Sequence, residues 1–317
     1  MPVWHLETYL NVLDLETSEA DLATSCAAVH ADQVVRRSKM TGASRSRLRF
    51  SHYNEEVDVT TELLITRDGA VATLTINRPE KRNALSAQLM GDIVDAVSTL
   101  DADADIRAII LTGSDPAFCA GFDLRNLQNE LAGTRSLARP DGSRSRGLLP
   151  DHDTPILGAI NGPAITGGLE LAMACDFMIA SERARFADTH GRVGVMPGGG
   201  MSIRLPELVG IDRARRMSLT GDLIDAATAL QWGLVTEVTA HDDLMDRARA
   251  IAGSMATLDP APVAELRRMY DEIGALSGDD AWQRERRWNR SWMAERFSDE
   301  GFDPDAIIDR GSQQTSS

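Results

Sequence analysis

A single carboxylate, Glu170, lies in a stretch that is otherwise apolar and glycine-rich until Asp176, namely NGPAITGGLELAMACDF at 161–177. Gly167 marks the expected start of a helix. Three residues further on, Glu170 would share a face with the unpaired amides of that start. An acid in the first turn of a helix is also favoured by the helix dipole alone. The stretch therefore supports two interpretations, an acid/base group beside free N–H donors or an ordinary stabilising carboxylate.

Three stretches place glycine where a strand is expected to end and a helix to begin: GSDPAFCAGFDL at 113–124, NGPAITGGLE at 161–170 and GVMPGGGMSIRL at 194–205. None of them has the phosphate-loop pattern GxxxxGK[ST] or a dinucleotide-binding GxGxxG after a strand, which argues against a nucleotide cofactor. Glycine lets another atom approach free backbone amides closely. Two such helix starts facing each other would form a site for an oxyanion that develops on a carbonyl group.

The elements that must position these residues alternate between strand and helix. The stretch ELLITRDGAVATLTINRP at 62–79 predicts two strands joined by a turn at Asp68-Gly69. RAIILTG, TPILGAI and DFMIAS predict further strands, and the chain is mostly helical from 198 to about 296. Ser86 would cap a helix with apolar residues at the helical period, namely Leu89, Met90, Ile93, Val94, Val97 and Leu100. The predicted fold class is α/β, with sheet and helices in layers.

The composition is that of a globular protein with a strong negative charge. The 317 residues are 43% hydrophobic and carry a formal net charge of −15, which disfavours nucleic acid and anionic membranes as partners. No apolar run is long enough to cross a bilayer, and the N-terminus does not resemble a secretory signal. Three scattered cysteines (Cys26, Cys119 and Cys175) predict reduced thiols in a cytoplasmic protein without a zinc site. Cys119 is expected to be a small buried residue, not a nucleophile.

The chain divides into three regions by sequence pattern. Residues 1–60 include an arginine- and serine-rich stretch without acids, RRSKMTGASRSRLRFSHYN at 36–54, and are predicted to form a flexible N-terminal extension. Residues 61–255 form the predicted core. Residues 256–317 form a helical C-terminal region and tail. The amphipathic pattern of the mostly helical part from 198 to about 296 predicts packing against the core or a neighbouring subunit.

From about 62 to 270 the chain resembles the crotonase, or enoyl-CoA hydratase/isomerase, family, through the stretches INRPEKRNAL, AFCAGFDL, NGPAITGGLELAMACDFMIAS, ARFADTHGRVGVMPGGG and ALQWGLVTEV. The resemblance implies a ββα spiral core with a helical C-terminal region, a homotrimer or homohexamer, and CoA thioester substrates of fatty acid metabolism without a metal or redox cofactor. It also implies that the amides of Ala120 and Gly167 hold the thioester carbonyl and that Glu170 is the first catalytic glutamate.

The second catalytic glutamate of the family's hydratases is replaced in this chain. Its position, 20 residues after Glu170, is occupied by His190. Histidine can accept or donate a proton near neutral pH, so His190 is a competent substitute. Alternatively, His190 only shapes the pocket or hydrogen-bonds Glu170 or Asp188. A single acid/base group would then remain, as would suit an isomerase.

The resemblance further points to the segments 78–85 and 119–124 as the binding site of CoA. Asp123 is either a pocket residue or a helix N-cap. Local donors that could bind the phosphates of CoA in this acidic protein are Arg78, Lys81 and Arg82. Other residues expected to line this part of the site are Ala84, Leu85, Phe122, Leu124 and Gly168.

These observations predict an enoyl-CoA hydratase that adds water to a trans-2-enoyl-CoA. Within the same family, the alternatives are an enoyl-CoA isomerase or another thioester reaction such as dehalogenation or hydrolysis. A third possibility is a non-catalytic acyl-CoA-binding protein, which would have lost catalysis through the change from glutamate to His190.

Overall fold

The computed structural model describes residues 62–123, 147–274 and 276–296, and by their backbone alone the strands β1 (Ser46–Arg49) and β2 (Glu56–Val59). Most of the predicted extension at 1–60 lies outside the described residues. Its two strands pair with each other and join the edge of the main sheet. Within the described ranges, no helix combines the length and the apolar character that a membrane span needs.

The predicted hairpin forms the next two strands, β3 (Leu63–Asp68) and β4 (Val71–Ile76). The two strands are antiparallel over their full length. Gly69 in the turn has a φ of +55°, a left-handed conformation that glycine adopts without steric cost. Alternate residues of β4 are buried, as expected for a strand with one face on the core: Ala72, Leu74 and Ile76.

The remaining strands are β5 (Ala108–Gly113), β6 (Ile156–Ile160), β7 (Ala164–Ile165), β8 (Phe177–Ser181), β9 (Arg185–Ala187), β10 (Ile224–Asp225) and β11 (Glu237–Thr239). The main sheet has the order β1-β2-β3-β4-β5-β6-β8-β11, and a small sheet has the order β10-β9-β7. Strands β4, β5, β6, β8 and β11 are parallel neighbours. β5 and β6 are buried throughout, which explains their continuous apolar sequences.

The helices of the described chain are α1 (Ala87–Asp101), α2 (Gly167–Met173), α3 (His190–Val193), α4 (Met201–Val209), α5 (Ile211–Thr220), α6 (Ala226–Trp232), α7 (Leu244–Ala256), α8 (Pro260–Ile273) and α9 (Gly278–Arg296). In α1 the predicted cap is confirmed, because the Ser86 hydroxyl accepts the amide of Leu89 at 3.1 Å. The predicted apolar residues of this helix are buried, apart from Val94, which is half-buried against the same core.

Each face of the main sheet packs against a different set of helices. The side chains of β5 alternate between the two faces, with Ile109 and Leu111 in the larger core and Ala108 and Ile110 in the smaller one. The larger core includes α1, α2 and the loops that carry the glycine stretches. The smaller core is covered by α7 through residues spaced four apart, Leu244, Ala248 and Ala252.

The C-terminal helices α8 and α9 pack against each other, and α8 attaches to the core through ion pairs. None of the residues of α8 is fully buried. Arg267 donates from Nε to Asp176 at 2.5 Å and from its guanidinium to the carbonyl of His152. Arg268 binds the carboxylate of Asp153 through two nitrogens, at 2.5 and 3.0 Å. These contacts fix α8 beside the end of α2.

The attachment of α8 depends on pH through the carboxyl group of Asp176. Burial works to raise the pKa of Asp176, but the imidazole of His152, whose Nε2 lies 3.9 Å away, the charge of Arg267 and the amide of Ile156 outweigh it, so that its pKa is lowered. A carboxyl group with a lowered pKa in the folded state stabilises the fold above its unfolded pKa of about 4. This contribution is lost as the pH falls through the folded-state value.

We expect Asp176→Asn to reduce the free energy of unfolding at neutral pH by about 2 kcal/mol, because the buried amide of Ile156 and the half-buried guanidinium of Arg267 lose their charged acceptor. The difference between wild type and variant should shrink as the pH falls below about 5. Urea denaturation at a series of pH values measures both effects. Asp246→Asn is a matched control, since the Asp246 side chain is 85% exposed. A deficit for Asp176→Asn that stays constant on acidification would contradict the coupling.

Candidate active site

Two of the predicted glycine stretches meet beyond the carboxyl ends of β5 and β6. Cys119, in the loop after β5, pairs with Ala164 in a short parallel bridge. The amide of Cys119 donates to the carbonyl of Pro163 at 3.0 Å, and the amide of Ile165 donates to the carbonyl of Cys119 at 3.0 Å. The loop after β5 is thereby held against the start of α2.

The amides of Phe122 and Gly167 have no hydrogen-bond partner among the residues that the structure describes. The backbone ladder of α2 begins with the bond from the amide of Glu170 to the carbonyl of Thr166 at 2.9 Å, so the Gly167 amide precedes it. A Cβ on Gly167 would lie 3.4 Å from the nitrogen of Phe122 and 2.7 Å from its ring. Two free N–H donors therefore belong to residues in direct contact.

The geometry at Ala120 does not fit its predicted role as a donor to a thioester oxygen. Its amide donates to the carbonyl of Arg82 at 3.0 Å, and this bond occupies it. Arg82 has a left-handed backbone with a φ of 50°, at the end of the short 3-10 turn Pro79–Lys81. Of the two predicted donors, Gly167 is free and Ala120 is not. The free amide of this loop lies two residues later, at Phe122.

Gly168 is needed for the close approach of α2 to the loop. A Cβ at this position would lie 2.0 Å from the carbonyl oxygen of Cys119, a distance that no side chain can adopt. The prediction that Gly168 lines the ligand site remains a prediction. Cys119 itself is fully buried, as expected, and burial raises the pKa of its thiol to about 12, which makes it a poor nucleophile.

Glu170 is 2% exposed and its carboxylate is held by the third glycine stretch. Its Oε1 accepts the amide of Gly199 at 2.8 Å and the amide of Met201 at 3.2 Å. Met201 is the first residue of α4, so the glycines of 198–200 bring the start of a second helix onto the carboxylate. This arrangement fixes one carboxylate oxygen and leaves the other for a different partner.

His190 faces the second oxygen of Glu170. Its Nε2 lies 3.9 Å from Oε2 of Glu170, and its Nδ1 lies 2.6 Å from Oδ1 of Asp188. Burial works to raise the pKa of Asp188, but hydrogen bonds from His190 and Ser218 outweigh it, so that its pKa is lowered. Asp188 is therefore an ionised acceptor for Nδ1–H, and this contact sets which nitrogen of the ring faces Glu170.

Arg78 does not fit its predicted role as a phosphate-binding residue. The residue is 4% exposed, and its Nε forms an ion pair with Glu62 at 3.0 Å. Its Nη1 also donates to the carbonyl of Ala84 at 2.5 Å. The guanidinium ties the segment 78–85 to the start of the hairpin, so it is not available to a ligand.

The other predicted CoA-binding residues lie close to one another. The Lys81 side chain is 49% exposed, and its Nζ lies 3.7 Å from the carboxylate of Asp123. Asp123 also lies 4.0 Å from Arg78, so it pairs with cations of the segment 78–85. Leu85 is fully buried and bridges to Phe122. Arg82 is half-buried next to these residues, and Leu124 lies outside the described residues.

Several contributors to the site were not predicted from the sequence as site residues. Gly199 and Met201 were not named, and Phe122 was predicted to line the CoA site but not to donate its amide. Backbone amides carry no side-chain signal, because any residue type supplies an N–H group. Asp188 has a signal, since a carboxylate two residues before a histidine at a strand end can reach its ring. From the sequence, this contact was expected only as an alternative to catalysis by His190.

Comparison with known proteins supports a single family. The chain matches the family model described as enoyl-CoA hydratase/isomerase over residues 66–303. The probable enoyl-CoA hydratase echA8 of Mycobacterium bovis is 36% identical over 240 residues, which cover 76% of this chain and 93% of that protein.

Solved structures of similar proteins agree with this match. The enoyl-CoA hydratase of Mycobacterium smegmatis is 47% identical with a TM-score of 0.61, and the match covers 73% of this chain and all of that one. The enoyl-CoA hydratase of Mycobacterium tuberculosis H37Rv is 48% identical with a TM-score of 0.61, over 72% and 98% of the two chains. These similarities confirm the predicted crotonase-like α/β fold, and the chain belongs to the enoyl-CoA hydratase/isomerase, or crotonase, family.

Proposed function

We propose that this protein adds water to the double bond of trans-2-enoyl-CoA thioesters. The observation that carries the proposal is the buried carboxylate of Glu170, which has Nε2 of His190 3.9 Å from its Oε2 and follows the free amide of Gly167 by one helical turn. A hydration site needs these parts together, an acid, a base and donors for the thioester oxygen. The relatives named as enoyl-CoA hydratases support the same chemistry.

In the proposed site, the amides of Phe122 and Gly167 donate to the carbonyl oxygen of the thioester. When water adds at C3, electron density moves through C2 onto this oxygen and forms an enolate. Two preorganised N–H donors stabilise the enolate more strongly than the neutral carbonyl, and this difference lowers the barrier. The support for this assignment is that both amides lack a partner in the described chain.

Glu170 and His190 divide the two proton transfers of hydration. Because Oε1 of Glu170 is held by backbone amides, Oε2 accepts the proton of the water that attacks C3. Asp188 holds Nδ1 of His190, so the protonated ring presents Nε2–H and gives this proton to C2. The proton on Glu170 then passes to His190 and restores the starting state. Hydroxide is thus added at C3 and a proton at C2.

The CoA part of the substrate is proposed to lie along the segments 78–85 and 119–123. Among the predicted phosphate-binding residues, we assign contact with a phosphate to Lys81, because its ammonium group is exposed. Hydration of an enoyl thioester changes no overall oxidation level, so the proposed reaction requires no redox cofactor. The proton transfers are carried by side chains, and no metal ion is needed in the scheme.

A second candidate is the isomerisation of a 3-enoyl-CoA to the conjugated 2-enoyl-CoA. The observation that favours it is the 3.9 Å distance between Glu170 and His190, which would let the pair act as one proton carrier between C4 and C2. Incubation with a 3-enoyl-CoA and detection of the conjugated product separates this candidate from hydration.

We expect Glu170→Gln to lower kcat for crotonyl-CoA by about 10²- to 10⁴-fold, because the amide cannot accept a proton from water. His190→Gln should lower kcat by about 10²-fold or more for the matching reason at C2. Loss of the enoyl thioester absorbance measures both, over a panel of chain lengths.

Glu207→Gln on α4 is the matched control for these variants, since the Glu207 side chain is 45% exposed. Full activity of Glu170→Gln would overturn the assigned mechanism. If the wild type binds acyl-CoA in calorimetry but turns over no chain length, hydration is excluded, and the non-catalytic alternative holds if a 3-enoyl-CoA is not isomerised either.

Asp188→Asn should lower kcat by about 10²-fold or more while the protein remains folded, because the amide no longer fixes the imidazole tautomer or stabilises the imidazolium. Steady-state kinetics and thermal melting measure the two properties. Asp212→Asn on α5, where the side chain is exposed, should behave as wild type. An Asp188→Asn variant with an unchanged kcat would show that His190 works without this contact.

The proposed assembly is a homotrimer or homohexamer. Large apolar side chains are exposed on α4, α5 and the segments beside them, which is typical of a subunit interface: Met196, Ile203, Ile211, Leu219 and Leu223. Light scattering on the purified chain should give a mass three or six times that of the 34.5 kDa protomer. A monomeric mass at micromolar concentration would exclude this assembly.

A further inference from the structure

Thr166 has a backbone conformation that β-branched residues avoid. Its φ is 53° and its ψ is −109°, and it is one of three non-glycine residues with positive φ among those that the structure describes. In this region the Cβ of an L-residue crowds the backbone. Such conformations persist only where surrounding contacts enforce them, and they concentrate at functional sites. The contacts that hold Thr166 in this backbone conformation therefore indicate its role.

The hydroxyl of Thr166 does not cap its own helix. Thr166 is the N-cap residue of α2, and a threonine at an N-cap normally accepts the amide two or three residues further on. Within the described chain, its side chain makes no capping bond. Instead its Oγ1 lies 2.5 Å from Oγ1 of Thr189 and accepts the amide of Thr189 at 3.0 Å. The amides at the start of α2 are thereby left free.

Three hydrogen bonds join Thr166 to the segment in front of His190. Two of them involve Thr189, and in the third the amide of Thr166 donates to the carbonyl of Ala187 at 2.9 Å. Thr189 is only 5% exposed, so water competes little for these bonds. Thr166 directly precedes Gly167, and Thr189 directly precedes His190. The contact thus joins the proposed oxyanion donor to the proposed proton donor.

We propose that Thr166 is a positioning residue that fixes the Gly167 amide and the His190 ring relative to each other. The strained backbone directs the hydroxyl to Thr189 and away from the free amides of α2. This inference rests on the proposed function, because Gly167 and His190 are the two groups that it aligns. Misalignment affects groups that act in the transition state and leaves the contacts to CoA intact, so the effect is on kcat and not on KM.

Three substitutions at Thr166 distinguish the effect of losing the hydroxyl from the effect of relieving the backbone strain. Thr166→Ser keeps the hydroxyl and should retain activity within about threefold. Thr166→Ala and Thr166→Gly both lose the hydroxyl, and each should lower kcat for crotonyl-CoA by about 10- to 100-fold at a nearly unchanged KM. The glycine variant should melt at a higher temperature than the alanine variant, because only glycine adopts the positive φ without strain.

Thr236→Ala is the matched control. The hydroxyl of Thr236 donates to the carbonyl of Met178 at 2.9 Å, between β8 and the segment before β11 and away from the proposed site. This variant should lose some stability with no change in kcat. A purely structural role of Thr166 predicts the same behaviour for Thr166→Ala, with activity following the folded fraction.

The same variants decide the inference if hydration itself is not found. Acetoacetyl-CoA forms an absorbing enolate when a base removes its C2 proton and N–H donors hold its oxygen. Wild type without hydratase turnover would overturn the proposed function. Loss of the enolate signal in Thr166→Ala and its retention in Thr166→Ser would still support the positioning role. Equal kcat or enolate formation in all three variants, or an alanine variant that melts above the glycine variant, would overturn it.

Discussion

The site is organised around a buried carboxylate, which needs hydrogen-bond donors from the protein in place of water. Glu170 is 2% exposed, and a buried carboxylate is tolerated only where hydrogen bonds replace its hydration. Its hydrogen-bond donors are the two amides of Gly199 and Met201, and the imidazole of His190 lies 3.9 Å from its other oxygen. A Cβ at 199 would lie 2.9 Å from Oε2 of Glu170, so glycine at this position leaves room for the carboxylate. The third glycine stretch and the start of α4 are therefore parts of the carboxylate's environment.

Local features of the fold were predictable from the sequence, because each depends on residues close together in the chain. The Asp68-Gly69 turn, the Ser86 cap and the buried strands all follow from periodicity, capping and turn chemistry. The position of Glu170 within the first turn of α2 belongs to the same class. These signals act over a few residues, and tertiary contacts reinforce them.

Long-range contacts account for the differences at the site. Arg78 is an exposed cation by sequence pattern, but Glu62, sixteen residues earlier, and the Ala84 carbonyl bury it. The amide of Ala120 is similarly occupied by the carbonyl of Arg82, thirty-eight residues earlier in the chain. Neither pairing follows from the spacing of residue types, since the loops that approach each other are positioned by the sheet. The contact between His190 and Asp188 is short in sequence, and its chemistry was visible as one of two alternatives.

The attachment of α8 has a consequence for how the molecule opens. A helix with no fully buried residue, anchored by Arg267 and Arg268 to carboxylates, loses less buried surface on detachment than a strand such as β5, which is buried throughout. Its release is therefore a sub-global event with a free energy well below that of the sheet, and its amides exchange with solvent protons long before those of β5. Concentrated salt screens the exposed pair of Arg268 and Asp153 more than the half-buried pair of Arg267 and Asp176, so higher ionic strength lowers the free energy of detachment mainly through Arg268.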